Sequence, residues 1–186
     1  YYAVREALRE SVRTETPPAA PEHAARTIYL NKTGYNGLYR ENSKGLYNVP
    51  FGRYKNPMIC DEPNLRACAK AFTKAKFETR HFDEIVRKAK PGDLVYFDPP
   101  YDPVSKTASF TSYAKDGFNQ DSQKLLAKTC EELDSKGVKF LLSNSMTEFI
   151  RDLYKDFTVD AVSANRNINS NASKRGAIQE VLVRNF

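Results

Sequence analysis

Asp93-Leu94-Val95-Tyr96-Phe97-Asp98-Pro99-Pro100-Tyr101 runs from four consecutive apolar residues straight into an acid and two prolines. An unbroken apolar run of this length bounded by turn residues reads as a buried strand. Because it does not alternate, it is expected to be a parallel strand covered by helices on both faces. Pro91-Gly92 stops what precedes it, and the prolines stop the strand itself. Farther on, Asn119 can cap a helix running to about Ser135, and Gly137 opens a second apolar strand at 138–142. Strand, helix and strand in that order make a βαβ unit, so the fold class is α/β.

Outward from this unit, helical spacing of Val4, Ala7, Leu8 and Val12 predicts a helix over 1–13, broken by the Thr/Pro/Ala stretch at 14–21. A second helix is expected from Pro21 or Glu22 to about Asn31, burying Ala24, Ala25, Ile28 and Tyr29. From 33 to 54, Gly34, Gly37, Gly45 and Gly52 alternate with Tyr35, Tyr39, Tyr47 and Tyr54. That is loop and hairpin chemistry, with Asn42-Ser43-Lys44-Gly45 as the turn between arms at 38–40 and 47–49. Residues 63–72 read as a helix, 77–82 as a short strand and 83–90 as a helix. A helix at 147–154 and two strands near 157–163 and 178–184 complete the chain, the strands forming an antiparallel hairpin at the sheet's edge.

The 186 residues suffice for one compact domain or a catalytic domain with a smaller insertion. A formal charge of +6 favours a polyanionic partner without proving one. The three cysteines, Cys60, Cys68 and Cys130, show no Cys-x-x-Cys spacing, and His23 and His81 stand apart. Neither a disulfide framework nor a metal site is expected, and a reducing cytoplasm fits best. Apolar stretches are strand-sized, far short of the roughly 20 residues a membrane helix needs.

Chemistry concentrates at Asp98-Pro99-Pro100-Tyr101. In open α/β sheets ligands bind beyond the carboxyl ends of strands, which is where this turn falls. Two prolines fix the backbone and delete two amide donors, leaving carbonyls to accept. Asp98 adds a carboxylate acceptor and Tyr101 a flat ring. The set suits a planar substrate bearing an amine with two hydrogens, held by Asp98 and the Pro99 carbonyl and stacked on Tyr101. The competing reading is a strand that simply ends in a rigid, Asp-capped turn.

Longer text now narrows the choice. Residues 29–40 (YLNKTGYNGLYR), 47–55 (YNVPFGRYK), 96–101 (YFDPPY) and 142–145 (LSNS) together resemble the Dam family of bacterial and phage DNA adenine methyltransferases. The resemblance covers nearly the whole chain, and the hairpin text is its most specific part. It implies a Rossmann-like methyltransferase sheet that uses S-adenosylmethionine to methylate the adenine N6 amine in GATC duplexes. Residues 1–75 would form a target-recognition region of helices and hairpin, and 76–186 the C-terminal part of the catalytic domain. The target base must be flipped from the stack. A cytoplasmic, nucleoid-associated protein is implied.

On the same resemblance, Asp98, Pro99, Pro100 and Tyr101 are catalytic, and His81, Phe82 and Asp98 contact the cofactor. Arg40 would read guanine in the major groove, where a guanidinium can donate two parallel hydrogen bonds. Leu38 and Pro50 would meet a thymine methyl, and Tyr35 and Asn36 would lie beside the extruded adenine. Asn42, Arg53, Tyr54 and Lys55 join the DNA-binding set, as do Asn169, Asn171, Lys174 and Arg175 in the polar run at 165–175. Residues 106–118 read as a lid, with Phe110 and Tyr113 as base contacts or packing residues. Family members carry a glycine-rich turn and an acidic residue ahead of this text, and neither occurs here. The chain is therefore expected to be a fragment or one part of a split enzyme, its cofactor site completed by a missing segment or second chain. An inactive DNA-binding relic and a protein or RNA amine methyltransferase remain open as alternatives.

Overall fold

The computed structural model describes residues 1–16, 18–104, 118–165 and 177–186, which fall into two compact units divided near residue 78. Among the described residues no helix is long and apolar enough to cross a membrane.

The first unit pairs helices α1 (Tyr2–Arg13) and α2 (Ala20–Thr33). Leu8 and Leu30 meet Tyr47 and Val49 from the glycine- and tyrosine-rich segment in a small core. Burial thus falls at one end of α2: Ile28 and Tyr29 are half-buried, whereas Ala24 and Ala25 are exposed, as is Val12 of α1. The small core reaches only the carboxyl-terminal turn of α2, so helical spacing overstated the buried stripe.

Basic side chains of α1 serve the hairpin backbone. Arg9 Nε donates to Tyr47 O at 2.7 Å, and Tyr1 Oη and Arg5 Nη1 donate to Val49 O at 2.7 and 3.2 Å. The expected turn forms: Gly45 N donates to Asn42 O at 2.9 Å, with Gly45 at φ +71°. Its arms are not continuous strands. They meet through the bridge Glu41↔Tyr47 and the bond Asn48 N to Arg40 O at 2.9 Å, and a second bridge joins Gly34 to Phe51.

Gly34 packs tightly. A Cβ there would lie 2.6 Å from Leu30 O and 2.9 Å from Tyr47 Oη, and the Tyr47 hydroxyl donates to Leu30 O at 3.3 Å. We expect Gly34→Ala to destabilise this unit by about 1–3 kcal/mol through overpacking. Urea denaturation should show the midpoint fall with little change in slope.

Helix α3 (Glu62–Ala71), capped by Asp61, buries no residue. Residues 75–81 form no regular element, which corrects the strand expected at 77–82. Phe77 is 75% exposed, in edge contact with Phe72 at 5.4 Å. A strand exists only with a partner, and among the described residues none pairs here.

The second unit is α/β. After a 3₁₀ turn at Phe82–Glu84 and the short α4 (Ile85–Lys88) come β1 (Leu94–Phe97), α5 (Gln120–Ser135), β2 (Lys139–Ser145), α6 (Glu148–Leu153), β3 (Thr158–Asn165) and β4 (Ala177–Arg184). Asn119 Oδ1 caps α5 by accepting from Asp121 N and Ser122 N, both at 3.0 Å. β1 and β2 run parallel, with Tyr96 opposite Leu141 and Phe97 opposite Leu142. The last two strands are antiparallel as expected. The chain nevertheless inserts β4 beside β2, giving the order β1-β2-β4-β3.

One face of this sheet carries the core. Phe97, Phe140, Leu142, Val181 and Val183 pack with Leu126, Ala127, Cys130 and Leu133 of α5 and with Ile150 and Tyr154. The expectation that β1 is covered on both faces is corrected. Leu94 and Tyr96 are 61% and 57% exposed, because β1 is an edge strand whose second face carries no helix among the described residues.

Candidate functional site

Alternation along paired strands decides which side chains share the open face. Tyr96 and Leu141 are register partners, as are Ser143 and Leu182, and Ser145 and Glu180. Tyr96, Ser143 and Glu180 therefore project from the side opposite the core, and Asp98, two residues after Tyr96, follows them. The hydrogen bonds agree. Ser143 Oγ donates to Asp98 Oδ1 at 3.0 Å, Tyr96 Oη lies 3.1 Å from Ser143 Oγ, and Tyr101 Oη donates to Glu180 Oε2 at 3.5 Å.

Asp98 is exposed, while Pro99, Pro100 and Tyr101 are half-buried. Burial raises the Tyr101 hydroxyl above the ordinary phenol range; hydrogen bonding with Ser143 opposes this, and the Glu180 and Asp98 charges add to it. Tyr101 is thus held as a neutral phenol.

Behind the turn lies a buried polar network that sequence reading did not assign. Gln123 Nε2 donates to Pro100 O at 2.9 Å, and Gln123 Oε1 accepts from Asn144 Nδ2 at 3.1 Å. Asn144 Oδ1 accepts from Asp102 N at 2.9 Å and from Ser145 N at 2.8 Å. Thr147 Oγ1 donates to Asp102 Oδ2 at 2.7 Å while capping α6 through Ile150 N at 3.2 Å. Of the two proline carbonyls expected to be free, that of Pro100 is therefore engaged. The Pro99 carbonyl meets no donor among the described residues. The 142–145 text at the carboxyl end of β2 was the available signal for Ser143 and Asn144. Gln123, inside a helix, offered none.

His81 is exposed, with Nδ1 2.7 Å from Asp83 Oδ1, and its ring lies 4.4 Å from that of Phe82. Phe82 packs partly buried against the sheet core and 5.7 Å from Phe118, so much of its ring serves packing.

In the first unit, Arg40, Pro50, Arg53 and Lys55 are exposed. Arg40 Nε donates to Asn48 Oδ1 at 2.8 Å. Asn36, at φ 54°, donates its backbone N–H to Tyr54 Oη at 2.8 Å beside the exposed Tyr35. Leu38 packs partly into the small core. Asn42 Oδ1 accepts from Lys44 N and Leu46 N, so its carbonyl oxygen builds the turn. Asn169, Asn171, Lys174 and Arg175 lie outside the described residues, as do Phe110 and Tyr113.

An acceptor-rich, proline-stiffened turn beyond the carboxyl end of a parallel strand marks an α/β protein with its candidate site where such sheets bind ligands. The family is more specific. The model of the D12 class N6 adenine-specific DNA methyltransferases matches residues 1–168, and the chain belongs to that family. It is 44% identical over 188 residues to the type II methyltransferase M.MjaIII of Methanocaldococcus jannaschii, covering 100% of this chain and 64% of that protein. It is 43% identical over 167 residues to the type II methyltransferase M1.LlaDCHI of Lactococcus lactis subsp. cremoris, covering 89% and 59%. To a DNA adenine methylase of Vibrio cholerae it is 40% identical over 157 residues, covering 84% and 56%. The chain therefore spans less than two thirds of the length of these relatives.

Proposed function

We propose that this chain provides the target-reading and amine-orienting parts of an enzyme that methylates the N6 amine of adenine in duplex DNA at GATC sites. The observation that carries this is the exposed Asp98 carboxylate, followed by a Pro99 carbonyl without a described donor and a half-buried Tyr101 ring, in a member of this family. Adenine's amine is a poor nucleophile because its lone pair is delocalised into the ring. Accepting one hydrogen at Asp98 and the other at Pro99 O turns that lone pair out of conjugation, while Tyr101 stacks on the flipped base. This is rate enhancement by orientation and by charge placed where the transition state needs it.

The methyl donor is S-adenosylmethionine, which supplies an electrophilic sulfonium methyl when bound. The described residues fit part of that molecule. The exposed His81 ring beside Phe82 offers a flat surface for its purine, and Asp98 a carboxylate. A backbone cradle for its methionine end and an acid for its ribose are not among them. The open edge of β1, with Leu94 and Tyr96 exposed, favours completion of the site by a further segment or a second chain.

Residues 1–75 would be the reader. Held at Nε by Asn48, Arg40 keeps its two terminal nitrogens for a base edge, with no other described partner. Arg53 and Lys55 would contact phosphates, which set position without choosing sequence. We place the protein in the cytoplasm, at the nucleoid.

The test expresses this chain alone and joined to the part of the M. jannaschii relative that it does not span. Plasmid DNA is then challenged with nucleases that distinguish methylated from unmethylated GATC. Protection by either form supports the proposal; binding to GATC duplex with no methyl transfer by either form would leave a DNA-binding relic. In the active form, Arg40→Ala should relax discrimination at one base pair by about 1–3 kcal/mol, read as competing kcat/KM values on duplexes altered at single positions.

A further inference from the structure

The face that carries Asp98 holds a directional chain of hydroxyls. Ser143 Oγ has one proton, and the Asp98 carboxylate can only accept, so that proton goes to Asp98 Oδ1 at 3.0 Å. The bond between Tyr96 and Ser143, 3.1 Å long, must then be donated by Tyr96. Each group has its role fixed by the next: Tyr96 O–H to Ser143 Oγ, and Ser143 O–H to Asp98. Ser143 is 4% exposed and sits on β2, paired on both sides, so it is the rigid member of the chain.

We propose that Ser143 is a positioning residue for the methyl-transfer reaction, fixing the Asp98 carboxylate through Oδ1 so that Oδ2 alone faces the substrate amine. This rests on the function proposed above and adds to it the means by which a solvent-exposed carboxylate acquires a single orientation. An aspartate at the tip of a strand otherwise rotates between staggered positions, and orientation is what the reaction requires of it. Other groups on this face are Tyr96 from β1, Tyr101 from the turn and Glu180 from β4.

The experiment compares Ser143→Ala, Ser143→Thr and Tyr96→Phe in the active form of the protein. Ser143→Ala should lower kcat about tenfold with KM for DNA little changed, as expected when only the orientation of a reacting group is lost. Ser143→Thr should restore kcat, since it keeps the hydroxyl. Tyr96→Phe should lose about two- to threefold. A purely structural Ser143 would alter stability and leave kcat of the folded variant in place, which overturns the proposal, as does a threonine variant no better than alanine. If no form transfers methyl, wild type included, the functional reading fails by itself. Side-chain three-bond couplings of Asp98 in this chain then decide the present inference: rotamer averaging in Ser143→Ala that is absent from the wild type upholds the bond, and unchanged couplings refute it.

Discussion

In the active form proposed above, Asp98→Ala should cut methyl transfer about 10²–10³-fold while costing the fold only about 1–3 kcal/mol. On the function proposed, the loss follows from removing one of two acceptors that turn the amine's lone pair outward, an effect of the size seen when one preorganised electrostatic contact is deleted from an active site. The modest cost to the fold follows from where the two partners lie. Asp98 is solvent-exposed, and the side-chain partner described for it is Ser143. The exposed position itself contributes within about 0.5 kcal/mol, and the buried Ser143 hydroxyl, losing its acceptor, adds about 1–3 kcal/mol. Single-turnover rates on a GATC duplex, beside urea midpoints, would separate the two. DNA affinity should hold or improve, because a carboxylate facing a polyanion is removed. Unchanged turnover in this variant would defeat the chemical role assigned to the turn.

What the sequence disclosed was local and covalently close. The strand before Asp98, the Asn119 cap of α5 and the Asn42–Gly45 turn each depend on residues within a few positions of one another, and each formed. What it concealed depended on partners distant in the chain. Phe77 lies in a segment with strand-like composition, yet no described strand pairs with it. The apolar run of β1 implied two covered faces, but coverage is a property of what packs there, and Leu94 and Tyr96 stand exposed. The final hairpin was legible as antiparallel, whereas its insertion with β4 beside β2 was not, since either strand has the apolar alternation an inner position needs. Asp98 announced itself through its prolines. Ser143, Asn144 and Gln123 did not, because a buried amide or hydroxyl is recognised by its partners, and these lie 21 to 45 residues away.

That hidden network supports the second large effect. Asn144 is fully buried and satisfies three groups at once: the amides of Asp102 and Ser145, and Gln123 Oε1. Asn144→Leu is close in volume but strands all three away from water. At about 1–2 kcal/mol for each unsatisfied group, the loss should reach roughly 3–6 kcal/mol, a large part of a domain's total stability. Gln123→Leu strands the Pro100 carbonyl and the Asn144 amide, and should cost about 2–4 kcal/mol on the same scale. The double variant should cost less than the sum, because the amide-to-amide bond is lost once, and a double-mutant cycle in urea would measure that coupling. Function should fall in step, with kcat reduced even where the variants are fully folded, since Gln123 and Asn144 hold the backbone of the turn on either side of Tyr101. Additive stability losses with normal turnover would show that the turn keeps its shape unaided, its two prolines being sufficient.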